Sequence, residues 1–481
     1  MKRTLLQKQS KIILVVACGG AALIVMAAIA GALLFDINSY KPGIEAAASR
    51  ATGLDVSING KMRLSFFPFG LSAADLHAAN HGVEILSLEK LKLGLEFIPL
   101  LKKKLIITRC VLDQPVLTLI KDARRNDPSS PAENKASEMG MKKVFSLKEL
   151  SLFRGVLVYV DQKTREQIVF RDIHLAIHDF LLEDISANPV QNASFSGTFQ
   201  CSEVEKANLK INHVLGSMKA EKGVLTLNPL TLDVFGGKGK GDASVDLSGV
   251  HGVYKINLKI PELDFANLEK ALGAKKMIGG KGDLEASLTL EEKENLRLMS
   301  GVNGHFSLSG DHLILYTLDL DKALTAYESS QQFNLVDLGA FFIVGPLGTV
   351  GLKGHGYWET YRQTHGRQGK IHHLVSRWKI KQGIAEALDC ALATQHNRVA
   401  LSGQLNLVRE RYEKVTVALV DGKGCAKFKQ SITGPFGSPE IGALSTVETL
   451  GGPLLSLYRK TKRFVQGDKC DVFYSGSVRH P

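Results

Sequence analysis

The chain has 481 residues, a net charge of +12 and 44% apolar residues, which is enough to build the cores of two or three domains and excludes disorder as the default. Its 46 Gly against 14 Pro, with 7% aromatic residues, suit many short strands joined by tight turns more than long helices. Six cysteines exclude a disulfide-dense scaffold, and the positive charge comes without a basic-aromatic patch, a CxxC zinc framework or a recognition-helix pattern, which removes nucleic acid as a partner.

From Ile12 to Leu34 the sequence carries no charge, and at ~1.5 Å per residue this run covers the ~30 Å hydrocarbon core of a bilayer. Ile12, Leu14, Val16, Leu23, Val25, Ile29, Leu33 and Leu34 form the body of the expected span. Lys2, Arg3, Lys8 and Lys11 precede it and Asp36 is the first charge after it, so the positive-inside rule keeps the N-terminus cytoplasmic and exports the rest. A cleaved signal peptide is the competing reading, since Ala28-Ile29-Ala30 before Gly31 has the look of a cleavage site, but the run is longer than a usual signal core. Both readings export the chain, and an exported basic protein meets anionic lipid or acidic polymer.

Residues 1–36 are thus a cytoplasmic tip and membrane anchor, and 37–121 a first folded unit of helix plus strands. Asn38 or Ser39 can cap a helix with Pro42 in its first turn, which Gly53 stops. LDVSI, Asn59-Gly60 and KMRLSFF then read as a hairpin. Further strands follow at LSLEKLKLGLEF and KLIITRCVLDQPVLTLI, with a short helical turn at Ile98 to Leu101 between them. Residues 122–143, rich in Pro, Ser, Asn and charge, read as a linker or surface loop.

Residues 144–445 repeat one pattern, an alternating apolar strand, a Gly-bearing turn and another alternating strand, so each strand buries one face only. Leu284, Ala286, Leu288 and Leu290 are one such face, alternating with Glu285, Ser287 and Thr289. Turns are expected at Arg154-Gly155, Lys222-Gly223, Gly236 to Gly241, Gly279 to Asp283, Ser309-Gly310 and Asp421 to Gly424. Helical insertions are expected at Asp264 to Leu272 and Asp319 to Gln331. A second apolar run, Leu335 to Leu352, contains Asp337 and Gly345-Pro346, which argue against a second span. Residues 446–481 form a terminal amphipathic helix with a basic end, and a tail. The fold class is therefore mainly β, a transmembrane helix followed by a long antiparallel curled sheet with a few short helices.

Chemistry is sparse. The Gly-Lys runs at Gly237 to Gly241 and Gly280 to Gly282 lack the GxxxxGK[ST] pattern of a phosphate loop and continue as alternating strands, so tight turns explain them. His77 with His81, and His174 with His178, share metal-like i,i+4 spacing but stand in strand-rich text without an HExxH. No nucleophile elbow or carboxylate pair stands out, so the chain is read as a non-enzyme with no cofactor, catalytic residue or metal site. Cys390 and Cys425 sit in strand-like segments of one late sheet, and an oxidising compartment would let them pair. Cys470 is an alternative partner, and free buried thiols are the plainer outcome.

The order of a single span, SYKPGIEAAASRATGLDVSINGKMRLSFFPFGLSAADLHAAN and FIPLLKKKLIITRCVLDQPVLTL resembles the AsmA family of bacterial envelope proteins. Tyr40, Pro42, Ile44, Thr52-Gly53, Gly60, Leu64, Pro68, Asn80, Leu100-Leu101 and Pro115 carry the resemblance from about Asp36 to Lys121. It continues more weakly from Asn397 to Ile441. One departure is DARRND at Asp122 to Asp127, where members of the family often have Asp-Gly-x-x-Asn-Trp. The resemblance implies an inner-membrane anchor, a periplasmic β-groove apolar inside and polar outside, and binding or transfer of phospholipid acyl chains in outer-membrane biogenesis. Its lipid-facing residues would include Leu284, Ala286, Leu288 and Leu290. The alternative is a non-enzymatic assembly factor that affects outer-membrane protein insertion through contacts with an envelope protein partner.

Overall fold

A computed structural model describes residues 36–66, 69–96, 106–121, 144–183, 189–273, 276–292, 298–316, 368–443 and 472–481, with Pro99, Asp319, Asp321, Ser445, Thr446 and Cys470 besides. The span from Ile12 to Leu34, the 122–143 linker, the second apolar run and the terminal basic helix lie outside the described residues, as do nearly all of the insertion at Asp319 to Gln331 and of the turn at Ile98 to Leu101. Among the described residues no helix is long and apolar enough to cross a membrane. The chain divides into two compact units, one of Met1–Gly140, Ser146–Lys163 and His174–Asp179, the other of Met141–Phe145, Thr164–Ile173 and Phe180–Pro481. Both are mainly β.

In the first unit, helix α1 (Lys41–Thr52) has Pro42 in its first turn and ends at Gly53, whose left-handed φ of 70° and N–H to the Ser49 carbonyl make the expected stop. The cap differs from expectation. Asp36 accepts from the Asn38 N–H ahead of a short 3-10 turn, and Tyr40 at the start of α1 makes no side-chain cap.

The hairpin at Asn59-Gly60 does not form. Strands β1 (Asp55–Ile58) and β2 (Met62–Phe66) both pair antiparallel with β3 (Phe69–Asn80). Gly60 hydrogen-bonds the Ala74 carbonyl at 3.1 Å, so the chain runs on through a bulge. A type I′ turn needs positive φ at both central residues, and neither Asn59 nor Gly60 has it. Helix α1 and the 3-10 turn before it then cover the free edge, where Ser49 Oγ, Glu45 Oε1 and Asn38 Oδ1 accept from the N–H groups of Val56, Ile58 and Met62 at 2.9, 2.7 and 2.8 Å. Strand β3 pairs with β4 (Val83–Leu95) and β4 with β5 (Ile107–Lys121), while β5 and β6 (Phe145–Asp161) pair in parallel. Arg154, with φ of 54°, lies inside β6, so Arg154-Gly155 is an irregularity within a strand and not a turn.

After β7 (Glu166–Leu182), the second unit is an antiparallel succession of β8 (Ala193–Lys206), β9 (Leu209–Glu221), β10 (Val224–Val234), β11 (Gly237–Asp246), β12 (Val253–Asp264), β14 (Lys281–Glu291), β15 (Val302–Leu315), β16 (Gly369–Lys381), β17 (Ile384–Ala393), β18 (Arg398–Asn406), β19 (Arg411–Val420) and β20 (Ala426–Pro435). The two-residue β13 (Ile278–Gly279) pairs with β15, and two more such pieces pair with β20. Among the described residues no pairing joins β20 back to β8.

The turns at Lys222-Gly223 and Asp421 to Gly424 stand where expected, with φ of 51° and 81° at the first pair. The others move. Between β10 and β11 the turn is Phe235-Gly236, and Gly237 to Gly241 belong to β11, because its glycines admit close neighbours: a Cβ on Gly239 would lie 2.9 Å from Leu232 Cδ1. Ser309-Gly310 lies inside β15 for the same reason, the Gly310 position being filled by Leu313 and Phe265. The expected helical insertion is present as α2 (Phe265–Ala271), with Asp264 as its N-cap accepting from Ala266 and Asn267.

Candidate functional site in the apolar face of the second unit

Alternation along each strand and register between strands together write apolar rows across the second unit. Leu284 lies between Ile260 and Leu308, Ala286 between Leu258 and Phe306, Leu288 between Ile256 and Gly304, and Leu290 between Tyr254 and Val302. The Leu288 row extends through Ala243, Leu227 and Met218 on one side and through Ile380, Ala385, Leu405 and Tyr412 on the other. A β-bulge in β10 between Leu227 and Leu230 re-aims the strand without breaking the apolar face. The four residues expected to share a face therefore do so.

Their burial differs. Leu284 is 7% exposed and packed in the main core with Ile260, Phe265 and Leu308, whereas Ala286, Leu288 and Leu290 are half-buried and Ile256, opposite Leu288, is 36% exposed. A cavity of about 490 Å³ follows the Ala286 row past Gly241, Leu258, Phe306 and Trp378, with Lys259, Glu285 and Arg377 among the polar residues beside it. The buried Trp378 donates its indole N–H to Ser376 Oγ at 2.8 Å, which satisfies a polar group inside the apolar face.

One end of the face is closed by α2. Phe265 and Leu268 are 1% and 2% exposed, and the Phe265 ring sits over Gly282 and Gly310, which pair directly with each other. Glu269, on the same helix and 1% exposed, accepts from the backbone N–H groups of Met277 and Ile278 at 2.9 and 3.0 Å. Burial pushes its carboxyl up to about 7 against these two bonds and the nearby Lys276.

The expected bridge between Cys390 and Cys425 does not form; Cys425 pairs with Cys470, with Cα atoms 5.9 Å apart. Cys390 is on the apolar face in the row Ser376, Cys390, Leu401, Val417, while Cys425 is in the turn after β19, so two strands separate them. Cys390 is a free thiol pushed up to about 12 by burial. The signal in the sequence was that Cys110, Cys201 and Cys390 interrupt strands, whereas Cys425 follows a Gly turn and Cys470 lies in the tail.

Around that disulfide the C-terminal tail covers the opposite face of β16 to β20. Tyr474 and Val478 pack on Val375, Ala391, Ala400 and Ala418. The Tyr474 hydroxyl donates to Asp389 at 2.6 Å, the Ser477 N–H and hydroxyl donate to the other oxygen of that carboxylate, and Arg398 donates to the Val478 carbonyl. Burial acts to raise Asp389, but these donors hold it below the usual carboxylate range.

Among the described residues no group of side chains could hold a metal ion. His77 instead bridges Asp75 and Glu84, bonds to Glu84 first and Asp75 second raising its pKa.

The family model of the AsmA family matches residues 7–180 and 183–387. The chain belongs to the AsmA family. No curated protein matches it. The AsmA match takes in the α1 unit, β8 to β16 and the whole half-exposed part of the apolar face. It stops inside β17, so the weaker likeness from Asn397 to Ile441 falls beyond it. The eight anchor residues from Ile12 to Leu34 fall inside the match and outside the described residues.

Proposed function

We propose that this AsmA-family protein holds phospholipid acyl chains on the half-exposed part of the apolar face of β8 to β15, head groups in water, as an inner-membrane-anchored periplasmic factor in outer-membrane biogenesis. The observation that carries the reading is the register-continuous set of apolar rows that stays half open to solvent around Ile256, Leu288 and Leu290. An apolar face of this extent needs cover, and an acyl chain supplies it without the hydrogen-bond geometry a protein partner would bring. The charge asymmetry around Ile12 to Leu34 supports the anchor, and the Cys425–Cys470 disulfide fits an oxidising compartment.

The test uses full-length protein extracted from membranes, with bound phospholipid quantified by mass spectrometry. Ile256→Asp with Leu288→Asp places two carboxylates on opposed positions of the open face, and lipid recovery should fall about tenfold or more while the disulfide and melting transition persist. A folded double variant that keeps its lipid contradicts the reading. A reporter fused after Pro481 should be active only outside the cytoplasm.

A further inference from the structure

We propose that α2 is a stopper that sets the acyl-chain length the face accepts, with Phe265 as the residue that defines the closed end; this rests on the lipid reading above. Exposure rises along β14 away from the helix, from buried Gly282 and Leu284 to half-buried Ala286, Leu288 and Leu290. A chain lying along the strands therefore enters at the Leu290 end and meets Phe265 at the other. Four residues separate Leu290 from Ala286, the last half-buried position before Leu284, roughly 14 Å at ~3.4 Å per residue, so the depth is finite and of acyl-chain scale.

The stopper is built into the sheet. A side chain on Gly282 would meet the Phe265 ring at 2.6 Å and one on Gly310 at 3.1 Å, so the opposed glycines form the seat that lets the ring lie down on the strands. The helix is tied at both ends: Asp264 caps its start, the Phe265 N–H donates to the Gly280 carbonyl at 3.1 Å, and Glu269 holds the returning chain at Met277 and Ile278. Leu268 is buried in the same apolar cluster as the ring. A fixed apolar wall discriminates chain length because a methylene that cannot be accommodated loses its burial and strains the packing.

The experiment presents full-length protein with vesicles of equimolar dilauroyl, dimyristoyl, dipalmitoyl and distearoyl phosphatidylethanolamine, then measures the bound species by mass spectrometry. Wild type should discriminate against the longest chains. Phe265→Ala should shift the bound population toward them by about tenfold. Ala286→Phe, at a position beside the 490 Å³ cavity and so with room for a ring, should shift it toward the shortest chains and keeps the test decisive if Phe265→Ala does not fold. Bound lipid with the same chain profile in wild type and folded variants overturns the stopper while leaving the lipid reading standing. A wild-type protein that binds none of the four overturns the lipid reading itself.

Discussion

The apolar face has one sequence pattern and two fates. In β8 to β15 part of it is half-buried, as at Met218, Leu227 and Leu288, and Ile256 is 36% exposed, while Leu230, Ile260, Leu284 and Leu308 nearer α2 are buried; in β16 to β19 Leu374, Leu392, Val399, Leu405 and Val417 are 0% exposed. The opposite face differs in the same sense. Lys255 and Lys259 stand in solvent on β12, while Ala391, Ala400 and Ala418 on β17 to β19 lie under Tyr474 and Val478 of the tail. A one-sided alternating strand therefore says that a face needs cover, and the cover itself comes from elsewhere in the chain or from outside it.

Truncation separates the two regions most strongly. Leu401→Ala, in the closed region, should cost about 2–5 kcal/mol in denaturant unfolding, because the cavity left in a packed core collapses only in part. Ile256→Ala in the open region should cost less than about 1 kcal/mol. Equal losses at the two positions would erase the distinction.

The closed region also depends on its tail. Cys470→Ser should remove about 2–4 kcal/mol from the transition that includes β16 to β20, since the disulfide closes a sequence separation of 45 residues. Cys390→Ser should leave the non-reducing gel pattern unchanged. A disulfide that persists in Cys470→Ser and vanishes in Cys390→Ser would restore the pairing that the structure rejects.

A smaller effect is expected at the stopper helix. Glu269 titrates near 7 when folded against an ordinary value of 4.5, so the folded state holds its proton more firmly than the unfolded chain. Its contribution is fully present below pH 4.5 and is lost as pH rises through 7, a change of about 3 kcal/mol at most. Glu269→Gln should flatten the dependence of unfolding free energy on pH across that window. A variant with the wild-type slope would assign the titration to another group.

Much of this architecture was legible in the residues. The Leu284 to Leu290 alternation gave the shared face, Pro42 and Gly53 bounded α1, and Asp264 marked the start of α2. Signals that depend on distant packing were misleading. Asn59-Gly60 is a turn dipeptide by local propensity, yet pairing of both flanking strands with β3 carries it on as a bulge. The glycines of β11 and Gly310 resemble turns because the sequence does not show which neighbour needs the missing Cβ, and Phe265 over Gly282 is the same effect. The disulfide is half legible: Cys425 is one of its cysteines, but Cys470 stands only as the alternative to Cys390 because it lies in a tail without alternating pattern. The open and closed halves of the face are indistinguishable in sequence, since Leu288 and Leu401 occupy equivalent places in their strands.

The central claim is that the open half meets lipid, and neighbouring positions on β12 test it directly. A photoreactive amino acid at Ile256 points with the apolar row, and one at Lys255 points to the other face, so the two differ in surroundings while sharing a strand. On irradiation in intact cells the account predicts phospholipid adducts at Ile256 and none at Lys255. Protein adducts at Ile256 without lipid, or equal lipid labelling at both positions, would contradict it.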